Sequence, residues 1–119
     1  MNRIIKFRFW EKPFKNDNGK FEGKMWNYEY VRNELSKLLQ SEDYISMQFT
    51  GLKAMGEDVY EGDIVEEKDF MRIFKIEWNE SEARFELVFV KGENGYEGQR
   101  RHIIDVFKMK KIGNIYETR

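Results

Sequence analysis

The sequence predicts a mainly β fold carrying one helix: a small, partly open antiparallel barrel or a strongly bent sheet. Three observations predict it. Several segments alternate apolar and polar residues with a period of two, the mark of half-buried strands. One segment alone, residues 28–40, changes to helical spacing. Aromatic residues make up 16% of the chain, with ten Phe, six Tyr and three Trp, enough to fill a small core with few side chains.

At 119 residues the chain is expected to form a single domain, 1–119. Charged residues are 36% of the total, but the signs nearly cancel to a net charge of −1. A disordered chain would carry fewer aromatics and more net charge, and a general nucleic-acid binder more basic excess. The absence of Cys excludes disulfides, thiolate nucleophiles and Cys metal sites. The N-terminal residues 1–6 lack the apolar run of a signal peptide, and no segment approaches the ~20 apolar residues that cross a bilayer. A soluble, cytoplasmic protein without membrane contact is expected.

The strands come in order. Over residues 3–10, Ile5, Phe7 and Phe9 share one face and Lys6 and Arg8 the other. A turn-rich segment at 13–23 centres on Asn18-Gly19, a hairpin dipeptide, with Pro13 placed outside the strands, and residues 21–26 return as a second strand. Tyr28, Val31, Leu35, Leu38 and Leu39 then define an amphipathic helix, with Asn27 as its N-cap. Its leucines are expected to cover an open face of the sheet. Residues 44–49 resume as strand.

The stretch 49–65 organises the second half of the chain. It is read as a strand end, a loop and a tight turn at Glu61-Gly62-Asp63. Gly62 is placed at positive φ, Asp63 braces the turn, and a strand starts at Ile64. The segment resembles the diverging turn of SH3-like barrels. Glu57, Asp58, Glu61 and Asp63 do not match the calcium-loop pattern, so turn chemistry is the better reading. Residues 64–67 form the next strand. Residues 72–78 and 84–90 pair as a hairpin, with Phe74, Ile76, Trp78, Phe85, Leu87 and Phe89 on one face. The second face, with Ile73, Val88 and Val90, is also partly apolar, which predicts a homo-oligomer. The 91–99 loop is glycine-rich but lacks the phosphate-binding signature. Residues 103–111 are read as a strand, and 112–116 as a short closing one with a bulge or close backbone approach at Gly113.

Several motifs together resemble the YopX family, small proteins encoded by phages and prophages. Gln48-Phe49-Thr50-Gly51-Leu52-Lys53 is succeeded by Gly56 and then by Tyr60-Glu61-Gly62-Asp63-Ile64-Val65. Ile5-Lys6-Phe7-Arg8-Phe9-Trp10, Trp78-Asn79 and Ile112-Gly113-Asn114-Ile115-Tyr116-Glu117 agree in order. Phe49 stands where Tyr is commoner, and Phe9 where a small residue is commoner. The resemblance implies a small, mainly β domain. It supplies no activity and no catalytic residues, and leaves Gly51, Leu52, Gly56, Tyr60, Glu61, Gly62, Asp63 and Ile64 as a structural motif.

Catalytic groups are few, and no enzyme, cofactor or metal is expected. His102 is the sole histidine and comes directly after Arg100-Arg101. Ser46 and Ser81 lack the flanks of a nucleophile elbow. Acidic pairs are inevitable among 22 carboxylates. The leading reading is a phage or prophage accessory protein that binds a host or phage protein through the 13–23 and 91–99 loops. The alternative is single-stranded nucleic-acid binding. Lys6, Arg8, Arg100, Arg101, Lys108, Lys110 and Lys111 are its candidate contacts, with Trp10, Trp26 and Tyr96 as stacking surfaces.

Overall fold

A computed structural model of the chain describes residues 5–15, 19 and 21–117. The fold is mainly β, with a strongly curled half-barrel sheet and little helix. The chain divides into two compact units, Met1–Phe49 and Thr50–Arg119.

In the first unit β1 (Phe7–Lys15) and β2 (Phe21–Trp26) form an antiparallel hairpin. The turn expected at Asn18-Gly19 falls on residues that, Gly19 apart, lie outside the described ones. Pro13 falls inside β1, contrary to expectation, and the register explains why it is tolerated. Glu11 pairs with Lys24 and Phe14 with Glu22, so Lys12 and Pro13 together oppose Gly23 alone. Such a bulge leaves a residue out of the ladder, and proline's missing N–H costs no bond there. Gly23 is required on the facing strand, because a Cβ would lie 2.2 Å from Trp10 Cζ2.

The expected helix is two short ones, α1 (Tyr28–Val31) and α2 (Leu35–Leu39). Asn27 holds the N-cap position, but its side chain makes no capping bond. Arg32, Asn33 and Glu34 are all exposed between the helices, and Glu34 leaves helical geometry (φ −114°, ψ 10°). Without burial in the middle, a segment this short cannot sustain a continuous helix. Val31 is buried, Leu35 and Leu38 are half-buried, and α1 packs on β1.

β3 (Tyr44–Ala54) pairs with β1 through residues 44–48 and continues into the second unit. The expected loop beyond Phe49 is therefore strand, carried through Gly51 at φ +87°. The strand returns as β4 (Glu57–Tyr60) over Met55-Gly56, both at positive φ (46° and 87°). Two such residues make the hairpin turn whose twist suits the flanking strands.

β5 (Asp63–Glu67), β6 (Arg72–Asn79), β7 (Arg84–Lys91), β8 (Arg100–His102) and β9 (Lys110–Asn114) form an antiparallel sheet in the order β8-β7-β6-β5-β9. The predicted β6–β7 hairpin is present, with Phe74 opposite Phe89, Ile76 opposite Leu87 and Trp78 opposite Phe85. Phe74 and Phe89 meet edge to face at 5.7 Å between ring centres. Phe74, Ile76, Phe85, Leu87 and Phe89 join Val59, Val65, Val106 and Met109 in the core of this unit, while Trp78 stays partly exposed.

Residues 103–108 correct the strand reading, since they form a 3₁₀ helix, Ile103–Lys108. Its period is three. Ile103, Val106 and Met109 recur at that spacing and pack inward, Val106 and Met109 with no exposure. The bulge expected near Gly113 is found: Ile64 pairs with Gly113 but Val65 with Lys111, leaving Ile112 as the extra residue.

Candidate functional site

The central turn is tightly bonded. Gly62 has φ +87° and is buried. Its N–H donates to the Ile76 carbonyl at 2.9 Å, and its own carbonyl accepts from the Ile115 N–H at 2.8 Å. Asp63 is fully buried and accepts from the Tyr60 N–H at 2.7 Å, so it clasps the residue three before it. The Lys111 ammonium lies 3.3 Å from the same carboxylate oxygen and donates to the Asp58 carbonyl at 3.1 Å. Thr50 extends the framework by donating to the Val59 carbonyl and accepting from the Leu52 N–H. Leu52 packs against the core, and Tyr60 is buried. The motif 51–64 is thus a scaffold, and Asp63 already holds an N–H and an ammonium.

The candidate basic residues do not form one patch. Arg8 is buried, with a guanidinium nitrogen 3.7 Å from Met47 Sδ, which corrects its assignment as a surface contact. It alternates with Phe9 in β1, and both faces of that strand are covered here. Lys6 lies 4.6 Å over the Phe49 ring. Arg101 bridges Glu67 and Asp105 at 3.1 and 2.8 Å. Arg100 bridges Glu86 and Glu77 at 3.0 and 3.2 Å. Only Lys108 and Lys110 of the set are exposed without an ion pair among the described residues.

The Glu86 cluster has no signature in the sequence. Its carboxylate lies beneath the surface and accepts from the Asn79 amide at 2.7 Å, from Arg84 and from Arg100. The Asn79 hydrogen bond first, then those from the two arginines, hold its pKa below the ordinary carboxylate value, against the opposing effect of burial. A depressed folded-state pKa stabilises the fold above the unfolded pKa, and the gain is lost as pH falls through the folded value. Glu86→Gln is therefore expected to lower stability at neutral pH and to flatten the acid limb of the stability–pH curve. Urea melts at a series of pH values would reveal this; parallel curves for the two proteins would count against the assignment.

His102 is exposed, and its Nδ1 accepts from the Ile104 N–H at 3.2 Å, closing the start of the 3₁₀ helix. Ser46 and Ser81 are also exposed. Tyr96 is exposed and Trp10 half-buried.

In the first unit Trp26, Tyr30, Leu38 and Tyr44 line a cleft of about 330 Å³. Glu11 fixes two of its walls, accepting from the Trp26 indole N–H at 3.2 Å and the Tyr44 hydroxyl at 2.9 Å. The hydrogen bond to Glu11, then burial, raises the Tyr44 pKa. Lys24 sits 4.1 Å over the Trp26 ring.

The second unit carries an exposed apolar surface. Met55 is 64% exposed, Phe70 49%, Met71 70%, Ile104 60% and Phe107 65%. The Met55 N–H donates to the Phe107 carbonyl at 3.1 Å, which sets these two residues side by side. Ile104 and Phe107, three apart on a 3₁₀ helix, project on one face. Met55 and Phe70 line a 250 Å³ groove together with Lys68, Asp69, Lys108 and Lys110. A strand reading of 103–111 hides this surface. A period of three, with Ile103, Val106 and Met109 inward and Ile104 and Phe107 outward, is the signal that reveals it.

A family model described as YopX protein matches residues 6–119. The chain belongs to the YopX family. The match runs through both units of this YopX-family chain, including the Gly62–Asp63 turn and the closing strand. A comparison with curated proteins finds no match.

Proposed function

We propose that this YopX-family protein is a non-enzymatic, protein-binding accessory module of phage or prophage, acting on a host or phage protein in the host cytoplasm. The observation that carries the reading is the Met55–Phe70–Phe107 surface. Contiguous exposed apolar side chains of this size are a liability in water, and in natural proteins they mark interaction sites. The cleft beside Trp26 and Tyr44 adds a second place where an apolar side chain fits, with walls already fixed by Glu11. The titrating groups with displaced pKa values favour no reaction centre. Glu86 and Tyr44 sit in structural hydrogen-bond networks, and Tyr116 is raised by burial and then by Glu61. Self-association through Ile73 and Val90 belongs to the same proposal, on a limited area, since Val88, the third apolar residue expected on that face, is buried.

Single-stranded nucleic-acid binding is the competing reading, supported by Lys108 and Lys110 beside Phe107. It is disfavoured because Arg100, Arg101 and Lys111 are engaged by carboxylates. The test is affinity capture from host lysate with the full chain, with and without nuclease, at two salt concentrations. Nuclease-resistant capture of one protein, little weakened by salt, is expected. Capture that vanishes with nuclease and falls steeply with salt would overturn the proposal.

A further inference from the structure

The groove between Phe70 and Lys108 has the chemistry to select its partner. Lys68, Lys108 and Lys110 line it and make no ion pair among the described residues. Of its two acidic residues, Glu67 is buried and held by Arg72 at 3.4 Å and Arg101 at 3.1 Å. Its charge is spent inside the protein, which leaves Asp69 as the exposed carboxylate of the lining. Glu66, half-buried, faces Lys110 across the β5–β9 ladder. The groove therefore presents three ammonium groups against one exposed carboxylate. Beside them stand Met55, Met71, Ile104 and Phe107, each more than half exposed.

We infer that this groove docks an acidic, amphipathic peptide segment of the partner protein, with its carboxylates on Lys68, Lys108 and Lys110 and its apolar anchors on Met55, Ile104 and Phe107. The inference rests on the protein-binding reading and assigns that reading a surface and a partner chemistry. Lysine, as a flexible point charge, suits carboxylates arriving at varied angles. Methionine suits apolar side chains of varied shape. A nucleic-acid strand would need flat stacking faces. Three of the five apolar side chains are aliphatic or thioether, and the Arg72 guanidinium already lies 4.6 Å over the Phe70 ring. Lys68, Lys108 and Lys110 would steer an acidic segment in, and the apolar anchors would hold it.

The test is selection from a random peptide library on the immobilised full chain, then fluorescence anisotropy with the enriched peptides and with oligo(dT). Enriched sequences are expected to combine several Asp or Glu residues with two or more large apolar residues. Binding should weaken by about tenfold or more in Lys108→Glu/Lys110→Glu and, separately, in Phe107→Ser. These side chains are exposed, so circular dichroism and melting of both variants should match wild type. Should Phe107→Ser fail to fold, Ile104→Ser removes its neighbour on the same outward face. Peptides that enrich but ignore both variants would overturn this inference while leaving the protein-binding reading standing. Failure of any peptide to enrich, with tight binding of oligo(dT) abolished by Lys108→Glu/Lys110→Glu, would overturn both.

Discussion

Asp63→Ala is expected to be the most damaging single substitution outside the apolar core, costing about 2–4 kcal/mol. The side chain is fully buried and holds the Tyr60 N–H at 2.7 Å and the Lys111 ammonium at 3.3 Å. Alanine leaves the N–H without this acceptor and the ammonium without its counter-charge. Each loss costs more than the intact bond contributes, because the remaining group stays desolvated. The total stability of a domain is only about 5–15 kcal/mol, so a large fraction would disappear. Asp63→Asn keeps an acceptor for Tyr60 but not the charge, and should fall between wild type and alanine. Equilibrium urea unfolding would measure both, with the midpoint moving and the slope unchanged. A midpoint for Asp63→Ala within error of wild type would show that the clasp does not stabilise the fold.

Much of this architecture is written in local patterns. The period-two alternation in 72–78 and 84–90 predicts the β6–β7 hairpin, and the structure adds the register that sets Phe74 opposite Phe89. Gly62 beside Asp63 marks the turn, since few other residues accept positive φ. Sequence and structure part where a residue's local preference is outweighed by its partners. Pro13 reads as a strand breaker, yet a bulge opposite Gly23 admits it. Gly51 reads as loop, yet it lies within a continuous strand. The 28–40 apolar spacing reads as one helix, but exposed residues 32–34 interrupt it.

The interaction surface is harder to see for a different reason. Which lysines and arginines are available depends on pairing across the sheet. Arg100 meets Glu77, 23 residues away, and Arg101 meets Glu67, 34 residues away. Nothing in a linear sequence reports that such a charge is already neutralised. The same holds for Met55 and Phe107, joined by a backbone bond between a hairpin turn and a 3₁₀ helix.

Gly62→Val is the second substitution expected to have a large effect, with a loss of more than ~1 kcal/mol. The cause here is conformational. Gly62 sits at φ +87°, where a Cβ crowds the following carbonyl, and a β-branched side chain is worse than alanine. The backbone cannot relax cheaply toward negative φ. Its N–H is bonded to Ile76 on β6 and its carbonyl to Ile115 just beyond β9, so rotation would break bonds on both sides of the β5 entry. The next residue is Asp63, and moving the turn would also draw its carboxylate from the Tyr60 N–H. The cost should therefore be less than additive with that of Asp63→Ala, because either change disables the same turn. Gly56, also at φ +87°, is a suitable comparison, because a Cβ there would meet no heavy atom within 4 Å. Gly56→Ala should register backbone strain alone, and Gly62→Val that strain plus the disturbed bonds. Thermal melts of the two variants, wild type and the Gly62→Val/Asp63→Ala double variant would measure both comparisons. Full additivity in the double variant, or a wild-type melt for Gly62→Val, would refute the coupled turn.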